Sequence, residues 1–595
     1  MNASKLPKMS SAAGSPTLLT CPRSPIFTNK ASVDTLPDEL LTRVFLCTGV
    51  LPDFSVSPFL LKPDQSFYKT PSSTCIRQVT LSHVCRRWRR ITLNTTIMWT
   101  PLHIDRLGSI ARAKEYLNRC SSSSLPIDIY IDTVGMEDHR PGVNICRDHL
   151  DSIFDLLLPY IARWKTLFIK VRDNDCRVIA LTRLSTCGPA PILETFQMYH
   201  FDEDTPENLL LATQQRPTTL FDGRLPNLLN FSLIGVHLSW SKAPYLRNLK
   251  YLDLALHAQS VRPTYDEWET VFRNCPDLES LSLHYSGPYI SPEEFTPDSV
   301  GVNWPPNREP IILRKLHDVN LVDLGPDYIY LVFEHLYMPN VKKLGLDLPE
   351  QDYTLFVNLL SGTKRRSIQV RGADDPLYGP PGRPIGYFEK VEHLIITSLQ
   401  CETDAWLKFI PSIREMRIME IDWKRMADDF YDALWTLVDE KAPSIHDTSP
   451  VAPPSAISND SDSDSETVVR HPRKQRVRLL PRMEEMRISG LSGERVNGLI
   501  SYSQTLGCTV KRWVVDWDAE QKGRDNVLDT LVERGWTQVY NGTDQLRFKY
   551  YQDNVESVKP EIISRPPAED SDYSDDEGEE DDGADSEEEP PGSSS

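Results

Sequence analysis

Leu249-Lys250-Tyr251-Leu252-Asp253-Leu254 and Leu278-Glu279-Ser280-Leu281-Ser282-Leu283 share one pattern: apolar, two variable residues, apolar, one variable residue, apolar. The spacing recurs at Trp164/Leu167/Ile169, Leu193/Phe196/Met198, Leu228/Phe231/Leu233, Leu316/Val319/Leu321, Val341/Leu344/Leu346, Val391/Leu394/Ile396, Ile413/Met416/Ile418 and Met483/Met486/Ile488. A proline stands two residues ahead of the first position in six units: Pro191, Pro226, Pro276, Pro339, Pro411 and Pro481. The last two apolar positions alternate along a short strand and point inward, and the first covers the turn that enters it. One unit cannot bury this face alone, so neighbours must stack into a curved parallel sheet backed by helices. Each buried Leu, Ile or Phe contributes about 1.5–3 kcal/mol of transfer free energy, before chain entropy is subtracted.

These units resemble leucine-rich repeats, in the degenerate form attached to many fungal F-box proteins. The family's Asn or Cys three residues past the last Leu is replaced by His257 in one unit and Val236 in another, and the intervals between units are irregular. The residues flanking each inward pair point to the concave face. This predicts Tyr199, Tyr251, Asp253, Ser282, His284, Asp318, Asn320, His393, Glu415, Arg417, Glu485 and Arg487 on one surface. Such surfaces bind proteins in repeat folds, which makes these the candidate target-binding residues.

Upstream, Leu36-Pro37-Asp38-Glu39-Leu40-Leu41-Thr42-Arg43-Val44-Phe45 sets Leu36, Leu40, Leu41, Val44 and Phe45 on one helical stripe. Pro37 suits a first turn, and Asp38 and Glu39 suit the positive end of the dipole. Leu81, Val84, Cys85 and Trp88 form a second stripe, and Trp99 follows. The stretch from about 34 to 101 resembles the F-box, with a Pro/Ser-rich insertion at 50–78 that reads as a loop. The resemblance implies docking to the Skp-family adaptor of a cullin-RING ubiquitin ligase, through Leu36, Pro37, Leu40, Leu41, Val44, Val84 and Trp88.

The 595 residues carry a net charge of −20, of which fourteen acidic residues between Glu569 and Glu589 supply −14, leaving −6 for the rest. No broad basic surface for nucleic acid follows. No apolar run reaches the roughly 18 residues a membrane span needs, and no signal-peptide core is evident. Eleven scattered cysteines without a C-x-x-C pair read as reduced, mostly buried side chains. The expected location is cytoplasmic, nuclear or both.

Residues 1–33, an insertion at 441–478 and residues 556–595 lack apolar periodicity and are expected to be disordered; the repeat domain spans 102–555. Ser461, Ser463 and Ser574 each precede an acid by three residues, as in acidophilic kinase sites; solubility alone is the other reading of that acidity. The cluster Arg470–Arg478 reads either as a nuclear-import signal or as a charge complement to the acidic run before it. Strands are expected at Pro101–Ile104, Leu125–Ile131, Arg512–Trp517 and Gln545–Tyr550, with a helix near Asn526–Arg534.

No phosphate loop, dinucleotide fingerprint, zincin or nucleophile-elbow motif occurs. No catalytic residue, metal site or cofactor is expected. The fold class expected is α/β (α+β overall): a short helical F-box, then an irregular leucine-rich-repeat-like solenoid. The function expected is substrate recognition for a ubiquitin ligase, with a non-ligase scaffold as the alternative and an enzyme hidden in the repeat domain as a remoter one.

Overall fold

The computed structural model describes residues 33–47, 77–134, 140–200, 217–290, 311–362, 388–435, 482–505, 510, 512–517, 537–541 and 545–551. The expected insertion at 50–78 (but for its last two residues), the insertion at 441–478, the terminal segments 1–33 (but for its last residue) and 556–595, the helix near Asn526–Arg534, and Ser461, Ser463 and Ser574 lie outside the described residues.

The chain is mixed α/β and is dominated by one large sheet. Its strands in chain order are β1 (Pro101–Ile104), β2 (Ile127–Asp132), β3 (Trp164–Val171), β4 (Thr195–His200), β5 (Asn230–Ile234), β6 (Tyr251–Ala255) and β7 (Ser280–His284). The two-residue strands β8 (Ile311–Ile312) and β10 (Leu336–Tyr337) pair with each other apart from it. The series continues with β9 (Asp318–Val322), β11 (Lys343–Asp352), β12 (His393–Gln400), β13 (Ile418–Asp422), β14 (Glu485–Ser489) and β15 (Arg512–Trp517), and ends with β16 (Thr537–Asn541) and β17 (Gln545–Tyr551). From β1 to β15 each strand pairs in parallel with the next member of the sheet; β17 then closes the edge antiparallel to β15, with β16 beyond it.

Register explains the apolar spacing. Leu102, Ile129, Leu167, Phe196, Phe231, Leu252, Leu281, Val319, Leu344, Leu394, Met419, Met486 and Trp513 form one row straight across the sheet. All are buried, as is the row two residues on, from Ile104 to Val515. Both rows join the helices in a single core that also takes in Leu41, Phe45 and Trp99 of the N-terminal helices. Helix Leu107–Cys120, between β1 and β2, shows the logic: Ala113, Tyr116, Leu117 and Cys120 recur at helical spacing on the buried side. Between β5 and β6 a 3-10 turn at Trp240–Lys242 takes the place of a helix.

One unit departs from its expected register. The strand after β12 does not use Met416 and Ile418 as its inward pair; Met419 and Ile421 are inward, and Ile418 is half-exposed on the other face. Met416, Met419 and Ile421 satisfy the same apolar spacing three residues later. Pro411 lies in a 3-10 turn, Ile410–Ser412. Glu415 and Arg417 therefore precede the strand and are not on its face.

The missing Asn or Cys has a local substitute. Val236, His257 and Ser286 are equivalent positions in three consecutive units. His257 Nε2 lies 3.0 Å from the Val236 carbonyl and its Nδ1 2.9 Å from Ser286 Oγ. A carbonyl only accepts, so Nε2 carries the proton and Nδ1 accepts from the serine. Burial, with the Arg262 and His237 charges adding to it, pushes this imidazole down to about 3. The unfolded state then binds a proton that the folded state refuses. Stability is complete above the usual histidine value of 6.5 and falls as pH drops below it, until the folded group itself titrates, by up to about 1.4 kcal/mol per pH unit. Denaturant melts at pH 7, 6, 5 and 4.5 should show His257→Gln, which keeps both hydrogen bonds without a titrating group, losing stability less steeply than the wild type.

Candidate functional site

Two surfaces collect the candidate residues. The first is the N-terminal helical module: helices Asp38–Cys47, Arg77–Val84 and Arg86–Asn94, and the 3-10 turn Thr96–Trp99. Leu41 and Phe45, one turn apart, are buried, and Phe45 meets Trp88 with ring centroids 4.7 Å apart. Cys85 caps the third helix by accepting from the Trp88 amide at 3.4 Å. Asp38 ties the first helix to the third: Arg87 Nε donates to its Oδ1 at 2.8 Å and Arg90 Nη2 to its Oδ2 at 3.0 Å, while Arg87 Nη2 also donates to the Leu36 carbonyl. The Arg87 bond, more than that of Arg90, holds the Asp38 carboxyl below its usual range. Trp99 is fully buried, donates to the Thr92 carbonyl at 3.1 Å and stands edge-on to Tyr116 at 5.0 Å.

With this core complete, apolar side chains are left over. Of the twelve exposed large apolar residues among the described ones, seven lie between residues 33 and 97: Val33, Leu40, Val44, Leu46, Val84, Leu93 and Ile97. Leu40 and Val44 are each 46% exposed and one turn apart. Of the expected docking residues, Pro37, Leu40, Val44 and Val84 are exposed and Leu36 is half-buried. Leu41, expected among the docking residues, lies in the core at 1% exposure, and Trp88 is half-buried against Phe45. The reason is the stripe's width: with 3.6 residues per turn, its i, i+4 pairs Leu41/Phe45 and Leu40/Val44 are set about 100° apart around the helix, and the first is buried while the second is exposed. Leu93 and Ile97 were not anticipated; their signal was an apolar residue at a position where the helix needed none for its core.

The second surface is the sheet face turned away from the helices. Tyr251, Asp318, His393 and Glu485 fall in one row across the strands, Asp253, Ser282, Asn320 and Arg487 in the next, and Tyr199 and His284 in the third. The alternation is as expected, but the exposure is not. Tyr199, 5% exposed, joins Tyr130, Phe168, Ile234, Ala255 and Leu256 in a separate apolar cluster on this face. Asp253 is buried where Gln197 Nε2 donates to Ser232 Oγ at 3.0 Å and Ser232 Oγ to Asp253 Oδ2 at 2.8 Å. Tyr251 and Ser282 are half-exposed.

At the other end the charges pair with one another. Arg487 Nε donates to Glu485 Oε1 at 2.7 Å and its Nη1 to Glu420 Oε2 at 3.1 Å. Arg512 pairs with Glu485, and His393 Nε2 stands 3.7 Å from Glu420. His393 first, then Arg487, holds the Glu420 carboxyl below its usual range against the effect of its burial. Glu420, the centre of this network, was missed because Pro411 drew the template three residues early. Glu415 pairs with Arg482, and Arg417 is exposed. Lys343 is 3.5 Å from Asp318. Asn320 is exposed and donates to Ser282 Oγ at 3.5 Å.

Among the described residues no cluster of three or more His, Cys, Asp or Glu has the arrangement to hold a metal ion, and no helix is long and apolar enough to cross a membrane. None of the eight described cysteines is in a disulfide; five are buried, Cys187 is half-buried, and Cys47 and Cys85 are exposed. No model of a known protein family matches the chain, and a search of curated proteins returns no match.

Proposed function

We propose that this chain is a substrate-recognition subunit of a cullin-RING ubiquitin ligase, acting in the cytoplasm, the nucleus or both. The N-terminal helices would form an F-box that docks on the Skp-family adaptor, and the sheet would be a leucine-rich-repeat-like solenoid that holds a target protein. The subunit does no chemistry and needs no cofactor. The observation that carries the reading is the excess of exposed apolar side chains on a module whose own core is closed. Such an excess marks an interface, and its place coincides with the Leu36–Phe45 and Val84–Trp88 segments that resemble the F-box. On the sheet, Tyr251, His284, Asp318 and Asn320 remain accessible for a target.

Affinity purification of the full chain, beside a Leu40→Glu/Val44→Glu variant, tests it. The expected result is adaptor, cullin and ubiquitin-conjugated proteins with the wild type and none of these with the variant. Adaptor without cullin would favour a scaffold that works without ubiquitin transfer. Absence of the adaptor from the wild-type eluate would end the reading.

A further inference from the structure

A cleft of about 380 Å³ opens at the carboxyl ends of β6, β7 and β9. We propose that it binds a carboxylate, which Arg262 recognises. This does not depend on adaptor docking and concerns residues that no motif in the sequence marked.

Arg262 lines the cleft and is only 8% exposed. Its Nε donates to the His257 carbonyl at 2.9 Å, and its guanidinium carbon lies 5.1 Å from the Tyr285 ring centre and 5.0 Å from that of Tyr328. Tyr328 is itself fixed, its hydroxyl donating to the Pro288 carbonyl at 2.7 Å. The guanidinium is thus held by a hydrogen bond to the backbone and by two rings. No ion pair joins it to a carboxylate among the described residues. A buried cation that no carboxylate meets at ion-pair distance is costly, and a bound anion lowers that cost.

The backbone around the cleft is strained in a repeated way. The residue just past each of four consecutive strands has a left-handed φ: Gly235 (66°), Leu256 (56°), Tyr285 (44°) and Asp323 (48°). Each amide still reaches a carbonyl of the next strand, at 2.8–2.9 Å. Three of the four are not glycine, at about 1–2 kcal/mol apiece. Such strain concentrates at functional sites, and here two of the strained residues, Tyr285 and Asp323, line the cleft. Gly325, also in the lining, caps helix Pro326–Glu334, which turns the positive end of its dipole to the same space.

The chemistry selects among anions. A fixed guanidinium fork matches a planar carboxylate. The Asp323 carboxylate in the same lining repels a phosphate dianion more than a carboxylate monoanion. The aromatic and aliphatic walls, Tyr285, Tyr328, Ile290 and Leu324, suit an apolar body attached to the acid. A protein's C-terminus and a small organic acid both offer this chemistry.

The test is calorimetric titration of the full chain at pH 7 with 3-phenylpropionate and with N-acetyl-Ala-Leu-Phe, each beside its amide. Each acid that binds should do so at least tenfold more tightly than its amide. Arg262→Lys should abolish the preference. Asp323→Asn, exposed and at a left-handed position that Asn tolerates, should tighten acid binding several-fold without changing the amides; it keeps the test valid should Arg262→Lys fail to fold. Binding of the peptide acid alone identifies a chain terminus, and binding of 3-phenylpropionate, with or without the peptide, a small acid. No binding by either acid, equal binding of acid and amide, or a preference that neither variant changes would overturn the proposal.

Discussion

Leu281→Ala should lower the unfolding free energy by about 2–5 kcal/mol, while Ser282→Ala, one residue on, should change it by less than about 0.5 kcal/mol. Leu281 is fully buried, flanked in register by Leu252 and Val319 and backed by the helical layer. Removing its side chain leaves a cavity that strands held on both sides cannot close. Ser282 faces the other way and is half-exposed. Met419→Ala and Ile418→Ala repeat the comparison where the register was misread, and the larger loss belongs to Met419. Urea denaturation of the four variants measures this. A larger loss at Ser282 or Ile418 would mean that the faces are exchanged, since a one-residue slip reverses them.

Arg487→Glu should cost about 2–3 kcal/mol, and Arg417→Glu close to nothing. Arg487 is the cation between Glu420 and Glu485, and Glu485 is 7% exposed at its side chain. Reversal places three carboxylates together on adjacent strands with Arg512 as the remaining cation. Losing one partner of a buried pair costs about 3–5 kcal/mol; the partial exposure of Arg487 and Glu420 reduces this through solvent screening. Arg417 is exposed ahead of the strand and holds no place in the network. Matched losses for the two variants in thermal melts would contradict the corrected register. Should Arg487→Glu also alter the co-purified proteins, its fold must be verified first.

The sheet was legible because its signal is redundant. Nine of the ten apolar triplets name residues that are buried in the expected register, and one strand's ambiguity is resolved by its neighbours. The failure at Ile413/Met416/Ile418 has a local cause: apolar residues recur every third position from Ile410 to Met419, so two registers fit, and a proline in a 3-10 turn favoured the wrong one. Exposure on the far face was not legible. Whether Tyr199 or Asp253 is open depends on the size and polarity of cross-strand neighbours, such as Ile234 and Ser232, which only register reveals. In the helical module the period placed the stripe but not its division, so Leu41 was grouped with Leu40 among the docking residues although it is buried. The cleft at Arg262 left no trace, because its residues come from four separated loops and strand ends.

The most direct measurement is a titration of the purified full chain with a purified Skp-family adaptor, beside Leu40→Glu/Val44→Glu. Both positions are 46% exposed, so the double variant should keep the wild-type melting temperature within a few degrees. The account predicts submicromolar binding by the wild type and at least a hundredfold loss in the variant, which corresponds to about 2.7 kcal/mol. A wild type that shows no binding, or a folded double variant that binds the adaptor as tightly as the wild type, would contradict it.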